Sequence, residues 1–391
     1  MLAAAALSAR ALVELGAQDG LALVALDVYG DVDTCRAARR WMPIGAAPRI
    51  DGARLLAALA GLAGDGASGW IAGSGFEEDI DLLEEAARRL PLLGTAPADL
   101  RRLLDPQAFF GFLDAQGIAH PPVRFDAPID PAGWLFKGAR GCGGMQVWRA
   151  GDEPAGAGAA AASSAGGPAR CPPGYWQRER RGATPMSATY LANGSAATLL
   201  GCNRQRTQAI GTRPHVFGGV VGPVAVAEPV RRAVAFALAR LVREYRLRGL
   251  GSVDFLLAGP GDAARVEILE VNARVPASAA LYPQLGPPGA GGPLRAHLRA
   301  CLEGVLPAAP PAAGLRAIEI VYARRGFALD AAAAAQLAAT PRLHDVPRAG
   351  SRFEPGAPLC TLSAQGDDEA ALGAELERRR EALLLSLETP A

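Results

Sequence analysis

Residues 135–147 read Leu135-Phe136-Lys137-Gly138-Ala139-Arg140-Gly141-Cys142-Gly143-Gly144-Met145-Gln146-Val147. An apolar strand ends on a lysine, four glycines follow, and a second strand begins. Glycines at this density let a backbone approach a polyphosphate and turn successive N–H groups toward it, while an ammonium neutralises charge. A P-loop places its lysine after the glycines and opens a helix; here the lysine comes first and a strand follows, so neither a P-loop nor a dinucleotide-binding turn fits. Lys137 is also the single lysine among forty basic residues, the rest being arginine. A chain that uses arginine wherever charge alone suffices keeps lysine where a compact ammonium is needed.

A second constellation lies downstream. Asp254 sits in Gly251-Ser252-Val253-Asp254-Phe255, and Glu270 and Asn272 sit in Val266-Glu267-Ile268-Leu269-Glu270-Val271-Asn272-Ala273-Arg274. Residues two apart on a strand share a face, so Glu270 and Asn272 project together, and a hairpin partner can bring Asp254 beside them. Two carboxylates and an amide oxygen suit a hard cation such as Mg²⁺ that bridges substrate phosphates. Arg274, at the end of the same face, is placed to hold a phosphoryl oxygen or an acyl phosphate. A solvent-facing polar edge suits Glu267, but not the other four together.

The flanking sequence sets the organisation. Apolar runs at 2–7 and 21–28 with a helical stretch at 8–16 between them predict a βαβ opening and a parallel sheet. Helices are expected at 55–62 and 77–90 and a short strand at 69–72. This gives an N-terminal doubly wound α/β unit over 1–95. From 98 to 116 the pattern is helical until Pro121-Pro122 forbids continuation. Strands then dominate at 133–136, 146–149, 174–178, 187–191 and 196–201, followed by a long amphipathic helix at 228–245 and a hairpin at 249–257 and 265–271. Residues 96–310 form a two-lobed α+β domain on this reading, with 151–170 a mobile low-complexity loop. Residues 311–391 form a small β-rich C-terminal domain, with strands at 317–323, 350–352 and 358–363 and a closing helix at 369–387.

A formal net charge of +1 gives no field for nucleic acid or an anionic membrane surface. No apolar run is long enough to cross a bilayer, and the apolar start has no basic residue before Arg10, so it reads as a strand rather than a signal peptide. Six scattered cysteines, with no CxxC pair, fit reduced thiols in a cytoplasmic protein.

The succession of a Lys and glycine-rich hairpin, Gln177-Arg178-Glu179 before a glycine, a Val-Asp-Phe strand and a Glu-Val-Asn-Ala-Arg strand resembles the ATP-grasp superfamily in order and spacing. The flanks are similar to its carboligase subgroup distantly related to biotin carboxylase, through Ser8-Ala9-Arg10, Asp27-Val28-Tyr29-Gly30-Asp31, Gly73-Ser74-Gly75-Phe76-Glu77 and the tail from Asp345-Val346-Pro347 to Thr361. The resemblance extends to ligases of methanofuran-type one-carbon cofactor assembly, such as tyramine–glutamate ligase. It implies ATP held between two lobes, with Lys137, Gly141, Gly143 and Gly144 on the phosphates and Gln177 and Arg178 at the adenine. It assigns Asp254, Glu270 and Asn272 to Mg²⁺ and Arg274 to the reacting phosphoryl group. The implied activity joins a small-molecule carboxylate to an amine through an acyl phosphate. The resemblance is compatible with a homodimer.

The chain departs from the family in one place. Where many members carry a first ATP-binding lysine, this sequence reads Asp105-Pro106-Gln107, so either Arg101 or Arg102 substitutes or ATP is held by fewer charges. Two alternatives follow, a biotin-carboxylase-like carboxylating enzyme and a nucleotide-binding regulatory protein without turnover. The early loops at 8–10 and 73–77 lie at strand ends, where open α/β sheets take ligands, and are expected to form part of the acceptor site. The four histidines are isolated, and Arg378-Arg379-Arg380 reads as a solvated helix face.

Overall fold

The structure is a computed structural model that describes residues 1–139, 141–154, 174–259, 264–285, 291–308 and 314–388. The expected loop at 151–170 lies outside the described residues from 155 onward, as do Arg140 and Cys171. The five described cysteines are all free thiols.

The first strand, Leu2–Ala5, pairs in parallel with Leu23–Asp27 on one side and Gly69–Ala72 on the other, and Arg40–Pro43 completes a four-stranded sheet. Alternation sends its residues to opposite faces. Ala3 and Ala5 meet Leu55, Leu59 and Leu83 from the helices Gly52–Gly64 and Ile80–Arg89. Ala4 belongs to a second core with Leu191, Leu250, Leu281 and Leu294, which fastens this unit to the rest of the chain. Strands buried on both faces read as continuous apolar runs, which is why this sheet is legible.

The expected single helix over 98–116 is two helices, Pro97–Leu103 and Pro106–Ala115. Asp105 is the reason: its carboxylate accepts from the Ala108 N–H as an N-cap, and Pro106 supplies a preset first turn.

An eight-stranded sheet carries the middle of the molecule. Its order begins with Arg265–Asn272, Arg248–Ala258, Thr184–Asn193, Ala197–Ile210 and Arg213–Val224, and continues into Leu315–Tyr322, Pro358–Gly366 and Leu343–His344. The sheet is therefore continuous across position 310, through pairing of Gly219–Gly222 with residues 316–319. The helix Glu228–Tyr245 lays Val234, Leu238, Leu241 and Val242 on one face of it. A smaller four-stranded sheet, containing Trp134–Gly138, Val147–Arg149 and Gly174–Arg178, has among the described residues a small core of Phe136, Trp148 and Trp176, with Trp134 and Ala150 packed against it.

The C-terminal segment is tied to the first unit by ions as well as by packing. Asp345 receives Nε and Nη2 of Arg10 at 3.1 and 3.0 Å and the hydroxyls of Ser8 and Thr361 at 3.1 and 2.7 Å. Burial alone would raise its carboxyl, but Arg10 and these donors outweigh burial and hold it below the usual carboxylate range. Asp345→Ala is expected to cost about 2–3 kcal/mol, since Arg10 keeps only Glu14 as a partner. A depressed carboxyl contributes stability above its unfolded value that is lost as pH falls through its folded one. The melting-temperature gap between variant and wild type should therefore be full at neutral pH and close below about pH 4. A gap independent of pH would show that Asp345 acts only through packing.

Arg379 and Arg380 correct the expectation of a solvated helix face. Arg380 donates to the buried Glu319 at 2.6 Å, and Arg379 donates to the carbonyls of Ser363 and Pro341. The closing helix Glu369–Glu388 thus binds the sheet with the residues expected to face water.

Candidate active site

The hairpin of Arg248–Ala258 and Arg265–Asn272 sets Asp254 opposite Glu270 and Ser252 opposite Asn272. Directly opposed residues of an antiparallel pair share a face. A bulge makes this possible: register shifts between Asp254 and Phe255, so Phe255 pairs with Ile268 and Leu269 is the extra residue. Ile268 and Phe255 then enter the core together while Glu270 and Asp254 turn to the opposite face. Asn272 Nδ2 donates to Asp254 Oδ2 at 3.2 Å, and Ser252 Oγ donates to Oδ1 at 3.4 Å. Gln205 also hydrogen-bonds this carboxyl. Burial and the neighbouring Glu270 push Asp254 up to about 7. Two carboxylates held this close favour a cation between them.

Arg274 follows on the same strand end. Its Nη2 lies 3.4 Å from Asn272 Oδ1, and its Nε is paired with Glu77 from the loop after Gly69–Ala72. Glu77 feels burial first, yet Arg274 holds its carboxyl below the usual range. The neighbouring Glu78 accepts from Gln146 of the glycine hairpin at 2.6 Å. One loop of the first unit therefore touches both constellations read from the sequence.

Lys137 ends its strand half-buried. Burial lowers its pKa, while Glu270 and then Asp254 act to raise it, which places the ammonium in the field of the two carboxylates. No described residue forms a salt bridge with it. The glycines divide by role. Gly144 (φ +73°) lies so near the His215 carbonyl that a Cβ would stand 2.0 Å from it, and a Cβ at Gly141 would stand 2.7 Å from Gln146 Cβ. Those two are demanded by packing. Gly143 (φ +63°) has open space on its Cβ side, and its carbonyl accepts from Phe217 N–H at 2.9 Å.

Gln177 and Arg178 both line the cleft but differ in their partners. Gln177 is 2% exposed, lines the cleft, and its Nε2 is buried without a partner among the described residues. The Arg178 guanidinium instead lies 5.5 Å from the Trp134 ring centroid and donates to the Ala132 carbonyl. Glu267 corrects the expectation of a solvent-facing edge. Its side chain is fully buried and accepts from Arg180 at 2.7 and 2.9 Å and from Arg265 at 2.7 Å. Burial would raise the carboxyl, but both arginines hold it low. Neither Arg101 nor Arg102 reaches the cleft: Arg101 is bound to Asp81 and Glu84, and Arg102 to Glu244.

Lys137, Gly141, Gly143, Gly144, Gln177, Arg178, Asp254, Glu270, Asn272 and Arg274 all line one cleft of about 630 Å³, large enough for a nucleotide. Sequence reasoning missed Gln205 and the pair His215 and Glu179, joined at 3.2 Å, which line the same cleft. The alternation Asn203-Arg204-Gln205-Arg206-Thr207 was the available signal for Gln205.

A model of the ATP-grasp domain matches residues 111–278, the span that contains both constellations. The chain carries an ATP-grasp domain over these residues. Solved structures agree on its fold. Biotin carboxylase from Campylobacter jejuni superposes with a TM-score of 0.66 at 13% identity, covering 99% of this chain and 95% of that one. N5-carboxyaminoimidazole ribonucleotide synthetase from Thermus thermophilus superposes with a TM-score of 0.65 at 16% identity, covering 99% and 98%. The biotin carboxylase domain dimer of 2-oxoglutarate carboxylase from Hydrogenobacter thermophilus, in complex with MgADP, ADP and bicarbonate, gives 0.66 at 11% identity over 96% and 88%. No curated protein matches this chain in sequence. Among the described residues, no helix is long and apolar enough to cross a membrane.

Proposed function

We propose that this ATP-grasp protein is an ATP-dependent ligase that activates a small-molecule carboxylate as an acyl phosphate and transfers the acyl group to an amine. The observation that carries this reading is the convergence of Asp254, Glu270, Asn272 and Arg274 with the single lysine in one cleft. The donor set fits Mg-ATP. Asp254, raised by burial and then by Glu270, is relieved by a cation; the orphaned Gln177 amide has a donor to offer a base; and Gly143 leaves room beside the backbone. The 2-oxoglutarate carboxylase domain, of the same fold, is in complex with MgADP.

Asp254, Glu270 and Asn272 would hold Mg²⁺, which when bound supplies charge stabilisation at the phosphates. Lys137 neutralises phosphate charge as a point ammonium. Arg274 steadies the phosphoryl oxygens as the substrate carboxylate attacks, and Glu77 fixes the plane of its guanidinium. The amine then attacks the acyl carbon, phosphate leaves, and an amide forms with release of one proton. On the sequence resemblance, glutamate is the first acid to test, as in addition to a methanofuran-like cofactor precursor. A carboxylating enzyme is the second reading, favoured by the bicarbonate in the complex of the 2-oxoglutarate carboxylase domain.

The test is phosphate release by purified protein with Mg-ATP against amino acids combined with amines, with bicarbonate as a separate arm. Release requiring both an acid and an amine is expected. Release dependent on bicarbonate alone would replace the ligase reading with the carboxylase one, and nucleotide binding without release would leave a regulatory protein.

A further inference from the structure

One wall of the cleft takes no part in the chemistry proposed above. From Ile80 to Phe110, twelve residues line the cleft, and Thr95 is the single polar one among them. Its hydroxyl is engaged by the neighbouring backbone: Oγ1 accepts from the Arg248 N–H at 3.0 Å and donates to the Arg248 carbonyl at 3.4 Å. The charged side chains of this segment turn elsewhere. Arg101 and Arg102 are bound to Asp81, Glu84 and Glu244, Asp99 is bound to Arg246, and Asp105 caps the helix Pro106–Ala115. Pro106, at the place where many ATP-grasp proteins carry an ATP-binding lysine, itself lines this wall.

The wall begins at the reacting end. The helix Ile80–Arg89 follows closely on Phe76 and on Glu77, the partner of Arg274, and it contributes Ile80 and Leu83. Pro97–Leu103 packs against that helix and brings Leu100 and Leu103, with Leu104 at its end. Phe110 carries the wall on to the Tyr175 ring, 5.3 Å away and two residues before Gln177. Leu92, Leu100 and Leu104 are only half-buried, although Leu92 and Leu104 pack on the core of the first unit and Leu100 packs on both that core and the core of the central sheet. Their remaining apolar surface faces the cleft they line. With no charge and no free donor, the wall offers nothing to a phosphate, a carboxylate or an ammonium. Burial of carbon is the interaction left to it.

We propose that this wall seats the uncharged apolar body, aromatic or aliphatic, of one of the two co-substrates, with the reacting group of that molecule toward Arg274. This rests on the ligase reading for turnover, whereas binding to the wall does not. The probes are toluene and, as a polar control, glycerol at the same millimolar concentration, added to the full chain without nucleotide. The variants are Leu92→Phe and Leu104→Phe, which fill the space from two elements. A larger side chain strains a packed core, so melting temperatures equal to wild type are expected only where the space is open, and a fall in both variants would overturn the proposal. Toluene, and not glycerol, is expected to raise the melting temperature of the wild type, and both variants should lose that rise. No rise, or an equal rise in the variants, would also overturn it. In turnover, straight-chain amines and, in a second arm, straight-chain carboxylic acids are lengthened one methylene at a time. In one arm KM should fall about fourfold per methylene, with KM for ATP within twofold, and Leu92→Phe should flatten the series. The arm that responds identifies the co-substrate that the wall holds. A flat KM in both arms of an active ligase sinks the subsite and spares the ligase; a toluene response lost in both variants, without turnover of any pair, does the reverse.

Discussion

Glu270→Gln or Asn272→Ala is expected to lower kcat/KM for Mg-ATP by roughly a thousandfold or more, about 4 kcal/mol, without loss of fold. Asp254 and Glu270 face each other across the bulged hairpin, and Asn272 is bonded to Asp254. On the proposed assignment, removing one oxygen ligand would leave Mg²⁺ short just where phosphate charge must be neutralised. Glu270 is itself exposed, so its loss should not disturb the core. Steady-state kinetics with a magnesium titration, beside circular dichroism, checks this. Full activity in either variant at ordinary magnesium concentration would remove the metal assignment.

Lys137→Arg is expected to lower kcat/KM for ATP by about tenfold to a thousandfold, roughly 1.4–4 kcal/mol, with a higher KM for ATP. The charge is unchanged, so the loss tests shape. The Lys137 ammonium stands half-buried in the field of Glu270 and Asp254 with no ion pair from a described residue. A guanidinium is bulkier and suited to an open bidentate contact, not to a point charge in a slot. Lys137→Ala should be at least as poor. Since neither Arg101 nor Arg102 reaches the cleft, no nearby arginine from that helix can take over. Wild-type ATP dependence in Lys137→Arg would mean that the lysine merely ends a strand.

Local pattern accounts for what was legible. Alternation along a strand placed Asp254, Glu270 and Asn272 on one side, and glycine chemistry marked the hairpin. The bulge at Leu269, which aligns those faces, leaves no periodic trace because it adds a single residue. The strand Arg213–Val224 was missed because glycine and proline interrupt it, although its neighbours on both sides satisfy its ladder. The continuity of the sheet past 310 depends on pairing a hundred residues apart, which no window reveals. Glu267 and Arg380 look like surface charges in sequence because their partners, Arg180 and Glu319, are distant along the chain.

The central claim is that phosphate passes through an acyl phosphate formed on the substrate carboxylate in this cleft. With the acid and amine identified by phosphate release, the carboxylate is labelled with ¹⁸O in both oxygens and the products of one turnover are weighed by mass spectrometry. One ¹⁸O in each released phosphate, one in the amide, and ADP as the nucleotide product are the predicted result. Unlabelled phosphate, or label recovered in AMP, would contradict the account.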